Sequence, residues 1–393
     1  MDDLRERLRE LPCGRHLLEA AAGMDGVHLV GGAVRDLLLG RRPRELDVVV
    51  EGDVGPLAAR LGAAADHVAH DRFGTATVRC GDCRWDLAAA REETYERPGA
   101  LPDVRGAGIA QDLLRRDVTV NALALDLSSG TLHAVEHAHD DLRAGRLRVL
   151  HDASFSDDPT RLWRLARYAA RLGFELEPHT AALAEQAIGG GALATVSGAR
   201  IGNELRLALA EPDPVAALES AVALGIAPWL APDRALAERA LELLPAGEGR
   251  RDLLVLAASL ASPDGDDALL ADLQFTAPER AIVRACLTTP ALDDAPRAPS
   301  QLARALRGVP VEAVALAGAR GAAQPARRWL DELRHVGLQI TGTDLLAAGL
   351  AEGPDIGRRL QAVLDLRLDG ALADGRDAEL RAALDAGPGT ARL

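Results

Sequence analysis

Two rhythms of apolar residues run along this chain, and the place where one gives way to the other divides it. Near the start the apolar runs are short and rich in β-branched residues, VHLV at 27–30 and LDVVV at 46–50. Such runs predict buried strands. Between them Gly31-Gly32 opens an apolar helical segment, AVRDLLLG, that closes at Gly40, and RRPRE leads into the second strand. Residues 73–87 alternate on either side of Gly81-Asp82, which predicts a hairpin. Residues 95–111, rich in Gly and Pro, predict a mobile loop. From about residue 112 the helical spacing dominates, with breaks at 128–130, 189–191, 211–214, 245–249 and 287–300. The expected fold class is α+β: a mixed head to about residue 125, then an all-helical remainder. Only the last few residues are expected to be disordered.

Composition narrows the chemistry. Hydrophobic residues make up 48% of the 393 but aromatics only 3%, so the core must be built of Ala, Leu and Val, which suits packed helices. There is no Lys, and all 45 basic residues are Arg. That excludes P-loop kinases and Schiff-base enzymes, which need an ammonium. The net charge of −14 means that an RNA partner would have to be held by local Arg stripes rather than by the global field. No apolar run approaches the roughly 18 residues of a membrane span, so no membrane partner is expected. The N-terminus, MDDLRERLRE, is charged and helix-like rather than a signal peptide. Cys13, Cys80, Cys83 and Cys286 are too few and too scattered for a disulfide framework. Together these features predict a cytoplasmic protein.

Glu45-Leu46-Asp47 places two acids at i and i+2, on one face if both lie in the strand. A third acid, Asp86, sits between Trp85 and Leu87 on the hairpin. Three carboxylates offer the hard oxygens that Mg²⁺ prefers, and would hold two ions about 4 Å apart. Taken alone, the acid pair reads better as a solvated strand end. Gly31-Gly32 between a strand and a helix allows backbone amides to approach phosphate, although a lone Gly-Gly is usually a plain turn. Strand, Gly-Gly, helix and acid-x-acid strand within 20 residues resemble the head of the DNA polymerase β superfamily.

Further blocks sharpen the likeness. LVGGAVRDLLLG with ELDVVVEGD resembles the first signature of the class II tRNA nucleotidyltransferases, the CCA-adding enzymes and their bacterial poly(A) polymerase relatives. HDRFGTATV, LLRRDVTVNALALD, SDDPTRLWRLARYAARLGF and SGARIGNEL follow in that family's order, and TGTDLLAAGLAEGPDIGRRL resembles its tail. The likeness covers roughly residues 27–205 strongly and 340–370 more weakly.

The resemblance implies a polymerase-β-like nucleotidyltransferase head over 1–125 and a helical neck over 126–210 that reads the base. A helical body over 211–335 and a tail over 336–393 would hold tRNA. It assigns Glu45, Asp47 and Asp86 to Mg²⁺ and catalysis. Gly31, Gly32, Arg35, Arg115 and Arg116 would meet the nucleotide, its phosphates above all. Asp117 and Asn121, four apart and so neighbours on one helical face, would grip the ribose 2′-OH. Asp158 and Arg161, expected one turn apart, would read the donor–acceptor edge that cytosine and adenine share. Arg164 would touch the nucleotide, with Arg167 continuing the stripe. Without the surrounding blocks, the same pairs read as an ordinary capping Asp and a surface salt bridge.

The implied reaction is template-independent addition of C-C-A from CTP and ATP to the 3′ end of tRNA. The loop at 95–111 favours all three nucleotides over C-C alone. The alternatives are an A-adding enzyme or poly(A) polymerase and, in another class, a catalytically inactive RNA-binding protein. Two residues depart from the family pattern: Glu45 replaces the usual Asp and Asp157 the usual Glu. The extra methylene of Glu45 would shift a bound ion by about an ångström, enough to cost about 100-fold in rate. A homodimer is left open. Three other features are read as structural: Cys80-Gly-Asp-Cys83 as a turn, His133/His137/His139 as a solvated loop, and the His70-Asp71 and His151-Asp152 pairs as no phosphohydrolase module.

Overall fold

The computed structural model describes residues 4–62, 67–70, 74–261 and 266–386, with the backbone alone for 67–70 and 266. The C-terminal residues expected to be disordered and the His70-Asp71 side chains lie outside this set. The fold is α+β, and it divides into two compact units that meet in sequence at Pro228 and Trp229.

The first unit opens with α1 (Leu4–Glu10) and α2 (Pro12–Ala20), then β1 (Val27–Val30), α3 (Gly32–Leu38), β2 (Leu46–Val50) and α4 (Gly55–Leu61). β3 (His67–His70), β4 (Thr75–Cys80) and β5 (Cys83–Ala89) follow, with Gly81-Asp82 at the hairpin turn. With β8 (Leu123–Asp126) and β9 (Leu132–Ala134), the strands join a seven-stranded sheet in the order β3-β4-β5-β2-β1-β8-β9. β2 runs parallel to β5 and antiparallel to β1. The period of two sorts the residues: Leu29, Val48, Trp85 and Leu87 enter one core with α2, α3 and α4. Val30, Val49 and Ala124 face the other way, under α5 (Ile109–Leu114).

Two stretches depart from the expectation. β8 (Leu123–Asp126) and β9 (Leu132–Ala134) continue the sheet past residue 112, where helix was expected. The Ala/Leu run at 122–127 is short and bounded by a turn at 128–130, and such a run cannot be told from helix by periodicity. The loop at 95–111 includes β7 (Asp103–Gly106), which pairs with β6 (Arg91–Thr94) just before it, and the start of a helix at Ile109. Its tip is tied down where Gly99 N donates to Ser156 O and Arg200 donates to Gly99 O.

A disulfide joins Cys13 of α2 to Cys83 of β5 across 70 residues, a single cross-link that their spacing did not suggest. Residue spacing carries no information about a pairing of this range, which depends on α2 packing against β5.

The rest of the first unit is mainly helical: α6 (Ala138–Ala144), α7 (Ser154–Asp157), α8 (Arg161–Leu172), α9 (Pro178–Gly189), α10 (Gly198–Leu209) and α11 (Pro214–Ala223). A short parallel pair, β10 (Arg146–Leu147) with β11 (Glu175–Leu176), brackets α8. α8 buries Leu162, Trp163, Leu165 and Ala166, and packs against α10 and α11. Asp213 accepts from Ala216 N, with Pro214 at the first helical position, so α11 starts where local chemistry favours it.

The second unit is helical apart from an isolated bridge between Leu230 and Leu260. Its helices are α12 (Arg234–Leu243), α13 (Arg251–Ser259), α14 (Asp266–Asp272), α15 (Ala277–Thr288), α16 (Pro299–Ala305), α17 (Val311–Arg320), α18 (Ala323–Asp331), α19 (Gly342–Ala347), α20 (Pro354–Leu368) and α21 (Arg376–Asp385). Small residues let these helices approach closely; a Cβ at Gly318 would collide with Ala326. Ile340, Leu345, Val363 and Ala383 form a separate small core under α19–α21.

Candidate active site

Asp47 lies one residue inside β2, on the face turned away from Val48 and Leu46. The parallel register makes Asp86 of β5 its direct partner. Thr77, opposite Asp86 on β4, donates to Asp86 Oδ1 at 2.6 Å, and Arg84 approaches Oδ2 at 2.9 Å. Glu45 is exposed in the bend before β2, not on the strand as its spacing suggested. It acts on Asp47 through its charge. Among the described residues the three carboxylates do not all close to within 4.8 Å of one another. Burial, then Glu45, then Asp86 push the Asp47 carboxyl up to about 6, and Arg116 and Arg84 offset this only in part. Hard oxygens held in mutual repulsion are a donor set that a divalent cation would relieve, so these residues fit Mg²⁺.

Gly31 ends β1 at φ 67°, and its N–H donates to Leu123 O at 2.9 Å. The positive φ favours glycine, and a Cβ there would stand 2.9 Å from Arg116 Nη1, a side-chain tip that would have to shift. A Cβ on Gly32 would lie 3.3 Å from Arg35 Nη2. Arg115 and Arg116 leave the end of α5 and share the fully buried Asp112, at 2.9 Å each. Arg115 also reaches Glu93. Arg116 keeps Nη1 beside Gly31, and its buried Nε has no partner among the described residues.

Asp117 and Asn121 do meet, but not on an α-helix. α5 stops at Leu114, Val118 is extended and bridges Val149, and 119–121 is a 3₁₀ turn. The β-branched run Val118-Thr119-Val120 opposes a helix. Asn121 Nδ2 donates to Asp117 Oδ1 at 3.3 Å, Arg35 Nη1 donates to Asn121 Oδ1 at 2.6 Å, and Tyr168 Oη donates to Asp117 Oδ2 at 2.8 Å. Burial by itself would raise Asp117, but Arg164, Tyr168 and Asn121 outweigh it and hold the carboxyl below its ordinary value.

A cleft of about 370 Å³ is lined by Gly32, Arg35, Glu45, Asp47, Asn121 and Arg167 among others. On the other side of Asp47 a second hollow, about 280 Å³, takes in Asp86, Arg115 and Arg116. Asp47 borders both.

Asp158 and Arg161 are buried neighbours but do not pair. Asp158 caps the end of α7 in an extended conformation, and α8 starts only at Arg161. Asp158 Oδ1 accepts from Thr160 N, Thr160 Oγ1 and Arg200 Nη2. Its Oδ2 takes none of these bonds. Arg161 donates to Ser154 Oγ and to Arg115 O, both at 2.8 Å, and so ties α8 to the residues after α5. Arg164 donates to Glu204 Oε1, and lies 3.9 Å from Asp117. Arg167 is drawn to Glu204 and Glu211, and Arg171 to Glu211.

Sequence reasoning gave no role to Tyr168, Arg200, Glu204, Glu211 or Asp112. Arg200 and Glu204 stand in SGARIGNEL and Tyr168 on the α8 stripe, so the signal was a quoted block without an assigned partner.

Comparison with known proteins extends these observations. The family profile described as "Poly A polymerase head domain" matches residues 27–148. One described as "Probable RNA and SrmB- binding site of polymerase A" matches 173–237. The chain is 37% identical to a CC-adding tRNA nucleotidyltransferase of Deinococcus radiodurans over 94% of itself and 93% of that protein. It is 34% identical to an A-adding tRNA nucleotidyltransferase of Geobacter sulfurreducens over 91% of itself but 45% of that protein. It spans about half the length, or less, of the A-adding relatives it matches. The solved structure of the Thermotoga maritima CCA-adding enzyme complexed with tRNA resembles it with a TM-score of 0.70 at 26% identity, over 97% of this chain and 98% of that one.

Proposed function

The chain belongs to the tRNA nucleotidyltransferase and poly(A) polymerase family, and on that premise we propose that it adds C-C-A to the 3′ end of tRNA from CTP and ATP, without a template and with release of pyrophosphate. The observation that carries this reading is the Asp47–Asp86 register pair, in which the Asp47 carboxyl is raised in pKa and borders a cleft that also holds Gly32, Asn121, Arg167 and Arg171. Asp47 and Asp86, with Glu45 nearby, would hold Mg²⁺, which when bound supplies charge neutralisation for the attacking 3′-OH and the triphosphate.

The chain's own residues do the rest. Arg116, poised beside Gly31, would meet phosphate, with Arg115 and Arg35 stiffening the same wall. Asp117 and the free hydrogen of the Asn121 amide would grip the ribose 2′-OH, a group that donates and accepts. Asp158 Oδ2 would accept from the exocyclic amine of cytosine or adenine, and Arg161 would donate to the ring nitrogen. Guanine and uracil present the opposite pattern there. Arg164, beside Asp117, would border the sugar. The helices from 126 to 210 would serve as the neck, and the second unit as body and tail against tRNA. A tRNA substrate would place the protein in the cytoplasm; among the described residues no helix is long and apolar enough to cross a membrane.

A second reading, transfer that stops after C-C, is favoured by one observation: the Deinococcus relative, matched over nearly its whole length, is a CC-adding enzyme. The test offers Mg²⁺ and each labelled nucleotide to tRNAs ending before C, after C-C and after C-C-A. Incorporation of C then A supports the first reading and C alone the second. A alone would mean an A-adding enzyme, and no incorporation an inactive RNA-binding protein.

A further inference from the structure

The sheet face that carries Asp47 holds a second group of ligating side chains, toward its other end, that nucleotidyl transfer does not use. β1, β8 and β9 are adjacent, and each puts one residue there. His28 stands directly across from Asp126, and His133 pairs with Ala124, the residue two before Asp126 on the same face. One ligand atom from each of the three lies within 4.8 Å of the others.

The His28 ring is 3% exposed, and neither of its nitrogens has a hydrogen-bond partner among the described residues. Leaving a buried polar group unpaired is destabilising, so packing alone gives no reason for an imidazole here. What surrounds the ring supplies one. Asp126 Oδ1 accepts from the N–H and hydroxyl of both Ser128 and Ser129, at 2.7–3.0 Å. Those bonds fix the carboxylate with Oδ2 3.7 Å from His28 Nδ1. On the opposite side, Glu51 Oε1 is held by Ile109 N at 2.6 Å and lies 3.7 Å from His28 Nε2. A carboxylate behind the second nitrogen of a histidine is the arrangement that fixes a metal-binding tautomer.

We propose that His28, Asp126 and His133 form a binding site for a late first-row divalent cation, zinc being the best match. Two imidazoles and one carboxylate suit zinc, with water in the fourth position; Mg²⁺ and Ca²⁺ prefer oxygen alone. Bonds of about 2.0–2.2 Å require the ligands to draw in by roughly an ångström or less. His133, partly exposed on the three-residue edge strand β9, is free to supply that movement. Val30 and Val49, buried with Ile109 and Leu113, occupy the face positions between His28 and the Asp47 end. The site is thus separate from the transfer cleft, and the cation would cross-link three strands and pin the sheet edge. Of the three histidines near residue 135, only His133 takes part; His137 and His139 are exposed on α6 or its cap.

The experiment strips the full-length protein with a chelator, then titrates Zn²⁺ against a chromophoric competitor and Co²⁺ by visible absorption, with thermal unfolding in parallel. Wild type should bind one equivalent, give the intense cobalt bands of a low-coordinate site, and unfold at a higher temperature with Zn²⁺. His133→Ala should weaken binding at least 10-fold and abolish the thermal rise. Glu51→Gln, which keeps an acceptor for Ile109, should weaken it about 10-fold while staying folded. Cys80→Ser, Cys286→Ser and Asp47→Asn should bind as wild type does, which excludes thiols and the transfer site. No stoichiometric binding by wild type, or unchanged binding in both His133→Ala and Glu51→Gln, overturns the proposal.

Discussion

The carboxylates of β2 and β5 and the arginines of α8 are both charge clusters withdrawn from water, yet they are settled in opposite ways. On α8, Arg164, Arg167 and Arg171 meet Glu204 and Glu211 from the end and flank of α10, and Arg44 adds to Glu211 from 3.7 Å. On the sheet, Asp47 faces Asp86 with Glu45 nearby, and the two arginines within reach do not prevent its pKa from rising. Compensation by neighbours makes a cluster structural, whereas an uncompensated one stores repulsion that a ligand can release. The contrast separates arginines whose charge is met by neighbouring carboxylates from carboxylates whose charge is not.

The sharpest way to break this comparison is Asp47→Asn. Losing a metal ligand should lower transfer by several orders of magnitude, with tRNA affinity nearly unchanged. The same substitution should stabilise the metal-free fold. The unfolded carboxyl titrates at 3.8 and the folded one near 6, so between these values the folded chain binds the extra proton. Stability from this group therefore falls as pH rises through that window, and at neutral pH the ionised form costs roughly 2–3 kcal/mol. Urea unfolding at pH 5 and pH 7.5 should show Asn removing this dependence. Near-normal turnover in the mutant would refute the metal assignment.

Glu211→Gln tests the other side. It leaves Arg167 buried without full compensation, which should cost about 3 kcal/mol of stability, less any share that solvent takes up at the more exposed Arg171. Nucleotide selection among the molecules that remain folded should hardly change. A stable mutant with altered base choice would show that the α8 arginines read the nucleotide.

A smaller effect, confined to selectivity, is expected at Asp158. Asp158→Ala removes the acceptor for the exocyclic amine and should reduce kcat/KM for CTP and ATP by about 10- to 150-fold. UTP and GTP should lose less. Arg200→Ala, which frees the same carboxylate, should narrow discrimination in the same direction. Equal losses across all four nucleotides would mean that the Asp158–Thr160–Arg200 cluster only supports the fold.

The smallest change is expected from Glu45→Asp. An exposed residue outside the strand has room to adjust, so the rate should move only a few-fold in either direction. Complete loss would mean that Glu45 reaches the cation in a geometry that only its longer side chain permits.

Local patterns along the chain were sufficient for the strand–Gly-Gly–helix–strand opening, the hairpin at Gly81-Asp82 and the breaks between later helices. Each rests on neighbours within a few residues: β-branched runs, positive-φ glycines, and Asp-Pro helix starts such as Asp213-Pro214. Asp117 and Asn121 meet as their spacing suggested, but through an extended Val118 and a short 3₁₀ turn rather than the helical face that spacing implied. Where two backbone forms fit one pattern, the sequence was silent, as in the Ala/Leu run that became β8. Register decided the remainder. Only the parallel pairing of β2 with β5 sets Asp86 opposite Asp47, and only the packing of α8 against α10 gives Arg167 its Glu204 and Glu211. Arg200 reaches Asp158 from 42 residues away, Cys13 meets Cys83 across 70, and His28 meets Asp126 and His133 across two strand pairings. Such partners are chosen by burial of whole faces, a property of the assembled sheet and helices that no local window of sequence contains.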